Sequence, residues 1–506
     1  MSHSLVLLSP YRYPGQYSLV LGPEDMAAWL NGFTLLWHPA LLWQAQGPPR
    51  VDQSYDHENP QPGHIYAVPE SPPLYLPDDW DERVKRAGAV AFRVGVSRDE
   101  GLARLREALK GEGRPGWTEG FALPEDKTIP FYAVGWGHTL LAALSEAMEH
   151  ENLLETEKFW NDVQTAIARL AGFPEPASAD TIARSPGEEP PGETTPEVNP
   201  ADTSMSGGDF DEYGPPPDYV VADNPPGGEE ARPDANVEPW YAALQQAGQR
   251  LLSAREVLYP VQINLLDLFL LDDRTWTQPW PAAFPAGVSC NVLVSGANLE
   301  RLQREQPERF AELKERVQAG QVDICGGGYA EREEPFLPLD SQLWNLQYGR
   351  EAVRRLLDFD VVVFARRRFG YHPLTPLLLT TSGFTKALFL TFDESAALPN
   401  YTSCVIGWPS PDGKQVDAFV RAGHNAADPQ TYFNLGHYWF KTTREDHNAT
   451  LLLTHVDQQA CVWFRDLMEL ARLAPVLGAW NTFSRYLVDV YPGEHPGALA
   501  ADERAE

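Results

Sequence analysis

The chain has 506 residues, a formal net charge of −31, 43% hydrophobic residues and four cysteines. So large an acidic excess argues against a nucleic-acid-binding surface, because phosphates are repelled at every approach. Cys290, Cys325, Cys404 and Cys461 lie far apart with no CxxC pair, which excludes a disulfide framework or a thiolate zinc site as the organising feature.

The opening "MSHSLVLLSPYRYPG" has no basic n-region and only a short apolar run, unlike a signal peptide. No apolar stretch approaches the ~18 residues needed to span a bilayer. The expectation is a soluble, cytoplasmic protein that does not engage membranes. "HSLVLLS" reads as a strand, followed by a Pro/Gly loop. "EDMAAWLNGFTLLWHPALL" has apolar residues at helical spacing with a stop at Pro39. Residues 44–80, rich in Pro, Gly and aromatics, read as a long ordered excursion. "GAVAFRVG" is a strand, and "SRDEGLARLREALKGEG" a helix opened by a Ser97-x-x-Glu100 capping box. From Gly137 to Ala171 the pattern is helical.

Between Pro174 and Glu238 there are sixteen carboxylates against two arginines, among many Pro, Gly and Ser residues. Such a segment buries too little apolar area to offset the entropy of ordering, so 174–237 is expected to be a disordered acidic insertion. A connection between two helices is its plain reading, and recruitment of a protein partner is the alternative.

After Pro239 strands and helices alternate: "VQINLLDLFLL", "CNVLVS", "QVDICGGG", "DVVVFA", "KALFLTF" and "ATLLLT" read as strands, with helices between most of them. Near-continuous apolar strands alternating with helices indicate a parallel sheet covered on both faces. The expected fold is α/β, an irregular parallel β/α barrel, with a doubly wound open sheet as the alternative. Residues 1–173 would supply its first part and 238–490 its second, with 491–506 a flexible tail.

Ligands in such folds bind at the carboxyl ends of the strands. Those ends collect Glu331, Glu333 and Glu334, then Arg366, Arg367, Arg368, Phe369, Tyr371 and His372, then Asp393 and Glu394, then His455 and Asp457. Either these form structural ion pairs or they line a pocket for a polyhydroxylated ligand. His455 and Asp457, two apart on a strand, point the same way and form a candidate half-site for a divalent ion. His57 and His64, with Asp56 and Glu58, read as solvated loop. His38, His138 and His150 carry no spacing signal.

The pieces "VQAGQVDICGGGYAE", "DSQLWNLQYGR", "FARRRFGYHPLTPLLLTTSGF" and "IGWPSPDGKQVDAF" together resemble the N-terminal catalytic domain of family-38 glycoside hydrolases, the retaining α-mannosidases. Glu331, Gly349, Phe369, Gly370, Pro376, Gly383, Phe384, Trp408, Asp412 and Gly413 fall in register with that family's order. The resemblance implies a carbohydrate ligand, a zinc ion, and an Asp serving as both nucleophile and metal ligand. That position here is Arg367, and the opening strand leads to Tyr11 and Tyr13 instead of a His-x-Asp pair. An arginine stays protonated and cannot act as the nucleophile. The resemblance therefore leaves hydrolysis open. One reading is a glycosidase with relocated carboxylates drawn from Glu331, Asp393 and Asp457. The others are an inactive barrel binding an anionic sugar through Arg366–Arg368, Phe369, Tyr371, His372, Glu333 and Trp408, and an interaction scaffold.

Overall fold

The computed structural model describes residues 3–10, 21–110, 123–148, 150, 154–172, 237–273, 275–276, 288–333, 336–368, 371–390, 404–445, 449–456 and 460–489. The segments 174–236 and 491–506, with Tyr11, Tyr13, Glu334, Phe369, Gly370, Asp393, Glu394 and Asp457, lie outside the described residues.

The first half carries strands β1 (Ser4–Ser9), β2 (Arg50–Gln53), β3 (His64–Pro69) and β4 (Val90–Val94), with helices α1 (Pro23–Leu36), α2 (Pro39–Leu42), α3 (Trp80–Ala87) and α4 (Arg98–Leu109). Its strands form a parallel sheet in the order β2-β1-β3-β4. Two of these strands fall inside 44–80, because "HIYAVP" is a buried apolar run framed by turns. His57 and His64 are likewise part of this sheet region rather than solvated loop. The His57 ring is buried, with Nε2 at 2.8 Å from Asp52 Oδ2 and Nδ1 at 3.3 Å from the Tyr66 hydroxyl. Ser97 caps α4 as expected, accepting from the Glu100 amide at 3.3 Å. Pro39 does not only end a helix: it also begins α2, where a proline lacking an N–H costs nothing.

Helices α5 (Glu125–Ala147), α6 (Thr156–Ala171) and α7 (Pro239–Leu258) follow. The second half then runs β5 (Asn264–Leu271), β6 (Cys290–Val294), α8 (Gly296–Glu305), α9 (Pro307–Gln318), β7 (Val322–Gly326), α10 (Leu339–Leu357), β8 (Val363–Phe364), α11 (Thr375–Thr381) and β9 (Lys386–Leu388). It closes with β10 (Val405–Pro409), β11 (Gln415–Phe419), β12 (His424–Asn425), α12 (Pro429–Phe433), α13 (Leu435–Glu445), β13 (Thr450–His455), α14 (Val462–Leu473), β14 (Ala479–Asn481) and α15 (Phe483–Asp489).

This sheet runs β10-β11-β9-β8-β7-β6-β5-β13-β12, with β14 also against β5. Every pairing is parallel except the β10–β11 hairpin at one edge. It is the expected α/β fold, a curled half-barrel of parallel strands. Within residues 1–173, β1 pairs β2 on one edge and β3 on the other, so the strands of that half form a sheet of their own.

Alternation along the strands sorts the half-barrel's residues into two layers. Phe269, Val292, Val294 and Ile324 face the surrounding helices. Leu266, Leu268, Leu270, Leu293 and Cys325 face the other way and are covered by Phe483, Tyr486 and Leu487 of α15. Two polar residues within these apolar strands anchor that helix: the Phe483 amide donates to Asn291 Oδ1 and the Ser484 amide to Asp323 Oδ2, each at 2.7 Å. The two halves share a hydrophobic core to which α5, α6, α7 and α14 contribute.

Candidate functional site

Four adjacent parallel strands, β5 to β8, end on the same side, and the residues just past their carboxyl ends frame an open cleft of about 200 Å³. Asp272 and Asp273 follow β5, Ser295 follows β6, Ala330 and Glu331 follow β7, and Arg367 and Arg368 follow β8. A smaller recess adjoins it, lined by Gly326, Gly328, Glu331, Asn345 and Arg366.

Glycines shape the β7 end. Gly326 and Gly327 have φ of +133° and +97°, a region in which a side chain is strained. A Cβ on Gly327 would overlap the Phe384 ring, and one on Gly349 of α10 would overlap the Gly327 carbonyl and the Tyr329 amide. The absent side chains let α10 press against the turn, and Asn345 then clamps it. Its Oδ1 accepts from the Ala330 amide at 2.9 Å and its Nδ2 donates to the Ala330 carbonyl at 3.0 Å. Glu331 is thereby aimed toward the end of β8.

Arg367 is the centre of the site. Its guanidinium, almost fully buried, pairs with the Asp272 carboxylate, and its backbone amide donates to Glu331 Oε1 at 2.6 Å. Two carboxylates from different strand ends thus converge on one residue. Crowding by protein raises the pKa of Glu331, while the charges of Arg367, Arg366 and Arg368 oppose that rise. Glu331 keeps contact with solvent, which limits the shift. Arg366 is buried with its guanidinium 4.5 Å from the Tyr371 ring centroid. Arg368 is half-buried, lines the cleft and makes no hydrogen bond or ion pair among the described residues.

The candidates read from the sequence are therefore divided. Glu331, Arg366, Arg367 and Arg368 come together at the cleft. Tyr371 and Trp408 belong to the hydrophobic core instead, packed edge to face at 5.3 Å. They are neighbours in the helix-facing layer and do not line the cleft. His372 serves its turn: Nε2 lies 2.7 Å from Gln342 Oε1, and Nδ1 accepts from the Leu374 amide at 3.2 Å. Glu333 is exposed and does not line the cleft. Asp272 was missed because its strand, "NLLDLFLL", looked finished at Leu271 and the following Asp-Asp pair reads as ordinary loop.

Of the half-site read from the sequence, Asp457 lies outside the described residues and His455 is engaged by another carboxylate. His455 Nε2 lies 2.6 Å from Asp267 Oδ1, with both side chains fully buried, and its ring stacks on Phe269 at 4.0 Å. This places it in the helix-facing layer, bridging β13 and β5, with its Nε2 engaged. The zinc ion implied by the resemblance does not fit. A buried guanidinium stands where the metal-binding Asp would be, and a cation there would meet a fixed like charge. Among the described residues, no three His, Cys, Asp or Glu side chains gather to hold a metal.

A parallel half-barrel with a charged cleft at the carboxyl ends of its strands defines a β/α-barrel-type fold, and those ends are where such folds carry their ligand sites. Residues 294–472 match the profile of the glycosyl hydrolases family 38 N-terminal domain. Among solved structures it is similar to a 4-alpha-glucanotransferase from Thermococcus litoralis, with 12% identity and a TM-score of 0.34 over 46% of this chain and 39% of that one. It is also similar to an alpha-mannosidase from Enterococcus faecalis V583, with 18% identity and a TM-score of 0.33 over 44% and 29%. Puue allantoinase aligns with 12% identity and a TM-score of 0.32 over 47% and 92%. The chain thus covers well under two thirds of the first two. No curated protein sequence matches it significantly.

Proposed function

We propose that the cleft binds a carbohydrate carrying an acidic substituent, and that the domain does so without the zinc-dependent nucleophile of its family. The observation that carries this reading is the Arg367–Asp272 ion pair at the nucleophile position. It removes an attacking carboxylate and leaves a polar cleft of mixed charge. Arg368 supplies the anion contact, since a guanidinium fork matches carboxylate or phosphate oxygens. The family profile supports the sugar.

Thermal unfolding against neutral sugars, uronic acids and sugar phosphates tests it. A ligand at ~100 times its Kd adds about 2.7 kcal/mol to stability, and Arg368→Ala is expected to remove the response to the acidic members. No response to any member of the panel overturns the reading. A second reading, slow hydrolysis, is favoured by Glu331 and Asp272 lining one cleft, since glycosidases use such carboxyl pairs. It requires aryl glycosides to be turned over and Glu331→Gln to stop the turnover.

A further inference from the structure

Just outside the cleft, α10 exposes a patch that folding does not explain. Trp344 is 47% exposed and Tyr348 36%; Leu339 at the start of the helix is 50% exposed and Phe336, before it, 83%. Large apolar side chains grouped this way on a surface mark a binding site more often than chance. The patch is ordered. Trp344 and Tyr348, one turn apart on α10, stack at 4.9 Å with ring planes 11° apart. Tyr329 packs edge-on to both, at 6.0 Å and 4.7 Å.

A polar fringe borders the rings. The Tyr329 hydroxyl donates to Glu300 Oε2 at 3.0 Å, and Glu300 also pairs with Arg355. The patch is continuous with the cleft through the backbone. Tyr329 stands two residues before Glu331, and Asn345, which follows Trp344 on α10, clamps the intervening Ala330 and lines the recess beside Glu331.

The geometry points to an outer saccharide subsite on this platform, where sugar units beyond the one held in the cleft stack on Trp344 and Tyr348 and hydrogen-bond to the Glu300–Arg355 fringe. The inference rests on the carbohydrate reading of the cleft. Flat aromatic side chains lose little conformational entropy on binding and present an apolar face beside a polar edge. That pattern matches the alternating C–H faces and hydroxyl rims of a pyranose chain. A protein interface would instead be expected to bury Phe336 and Leu339 under an apolar partner surface and to show self-association or complex formation.

The test uses the full chain, its Trp344→Ala and Tyr348→Ala variants, and the cleft variant Arg368→Ala. Calorimetry with gluco-, manno- and uronate oligosaccharides of increasing length is paired with affinity electrophoresis in soluble polysaccharide gels. Affinity is expected to rise with chain length and to fall about tenfold for the longer ligands in Trp344→Ala, with single-sugar affinity unchanged. Arg368→Ala should weaken short and long acidic ligands alike. Single-sugar binding with no length dependence, and no effect of Trp344→Ala, overturns the subsite while leaving the cleft reading intact. If calorimetry shows no binding but the gels retard the wild type and not Trp344→Ala, the cleft reading fails and the outer-subsite assignment with it, the platform being a separate saccharide surface. Migration of wild type and Trp344→Ala alike in every gel, with no calorimetric binding, overturns both. Concentration-dependent dimerisation lost in Trp344→Ala assigns the patch to a second copy and overturns the saccharide subsite. Trp344 is half-exposed, so its removal leaves folding intact.

Discussion

At the scale of single residues, Arg367 organises the charged cleft. Where the family resemblance calls for an aspartate, the guanidinium draws Asp272 onto itself and fixes Glu331 through its amide. Glu331 then carries a raised pKa from crowding, and this has a consequence in solution. A carboxyl with a folded pKa above its unfolded value holds more protons in the folded state within that window. Stability contributed by Glu331 therefore falls as pH rises from about 4.5 through the raised pKa, and levels off above it. Buried Asp267, Asp323 and Asp466 are raised in the same direction, so the comparison with Glu331→Gln isolates one residue. Unfolding midpoints followed from about pH 4 to about pH 7 are expected to decline less steeply in that variant. Identical profiles would refute the assignment.

At the scale of elements, the contact of α10 with the glycine turn after β7 positions both the cleft and the aromatic platform. Gly349→Ala would place a methyl against the Gly327 carbonyl and the Tyr329 amide, and overpacking of this kind costs about 1–3 kcal/mol. The helix must shift away, loosening the Asn345 clamp on Ala330. The expected outcome is a lowered urea midpoint together with weaker saccharide binding. A control at the other end of β7, Gly320→Ala, should lower stability through its φ of +69° without touching the cleft, since no atom crowds that position. The glycines and the helix were legible in the sequence as a pattern. The reason for Gly349 was not, because its crowding atoms lie about twenty residues away along the chain.

At the scale of the whole molecule, the two halves are joined by a buried ion pair as well as a shared core. Arg98 at the start of α4 holds Asp466 of α14 through two bonds of 3.0 and 2.5 Å, and Trp136 Nε1 donates to the same carboxylate at 3.2 Å. Arg98 has its guanidinium 5.0 Å from the Tyr132 ring centroid. Removing one partner leaves a charge with little water to solvate it, a loss of about 3–5 kcal/mol. Asp466→Ala is expected to lower the unfolding free energy from urea titration by that amount or to split the transition into two. Replacing both members, Arg98→Met with Asp466→Leu, should recover most of the loss, because no lone charge remains buried. Among the described residues, no helix is long and apolar enough to cross a membrane.

What the sequence determined by itself was local and periodic. The buried strands "NLLDLFLL", "CNVLV" and "VDICG" were legible because apolar runs bounded by turn residues leave little choice of conformation. The parallel α/β class followed from their alternation with helices, and the family order from glycines and aromatics at fixed intervals. What only the tertiary structure decided was which polar residues meet. Asp272 and Arg367 are ninety-five positions apart, and His455 lies far from the Asp267 that engages it. Residue type announces a charge, but its partner depends on strand order and on which layer each side chain enters. The same holds for the separate sheet of the first half, since hydrogen-bonding edges are claimed by whichever strands the folded core brings alongside.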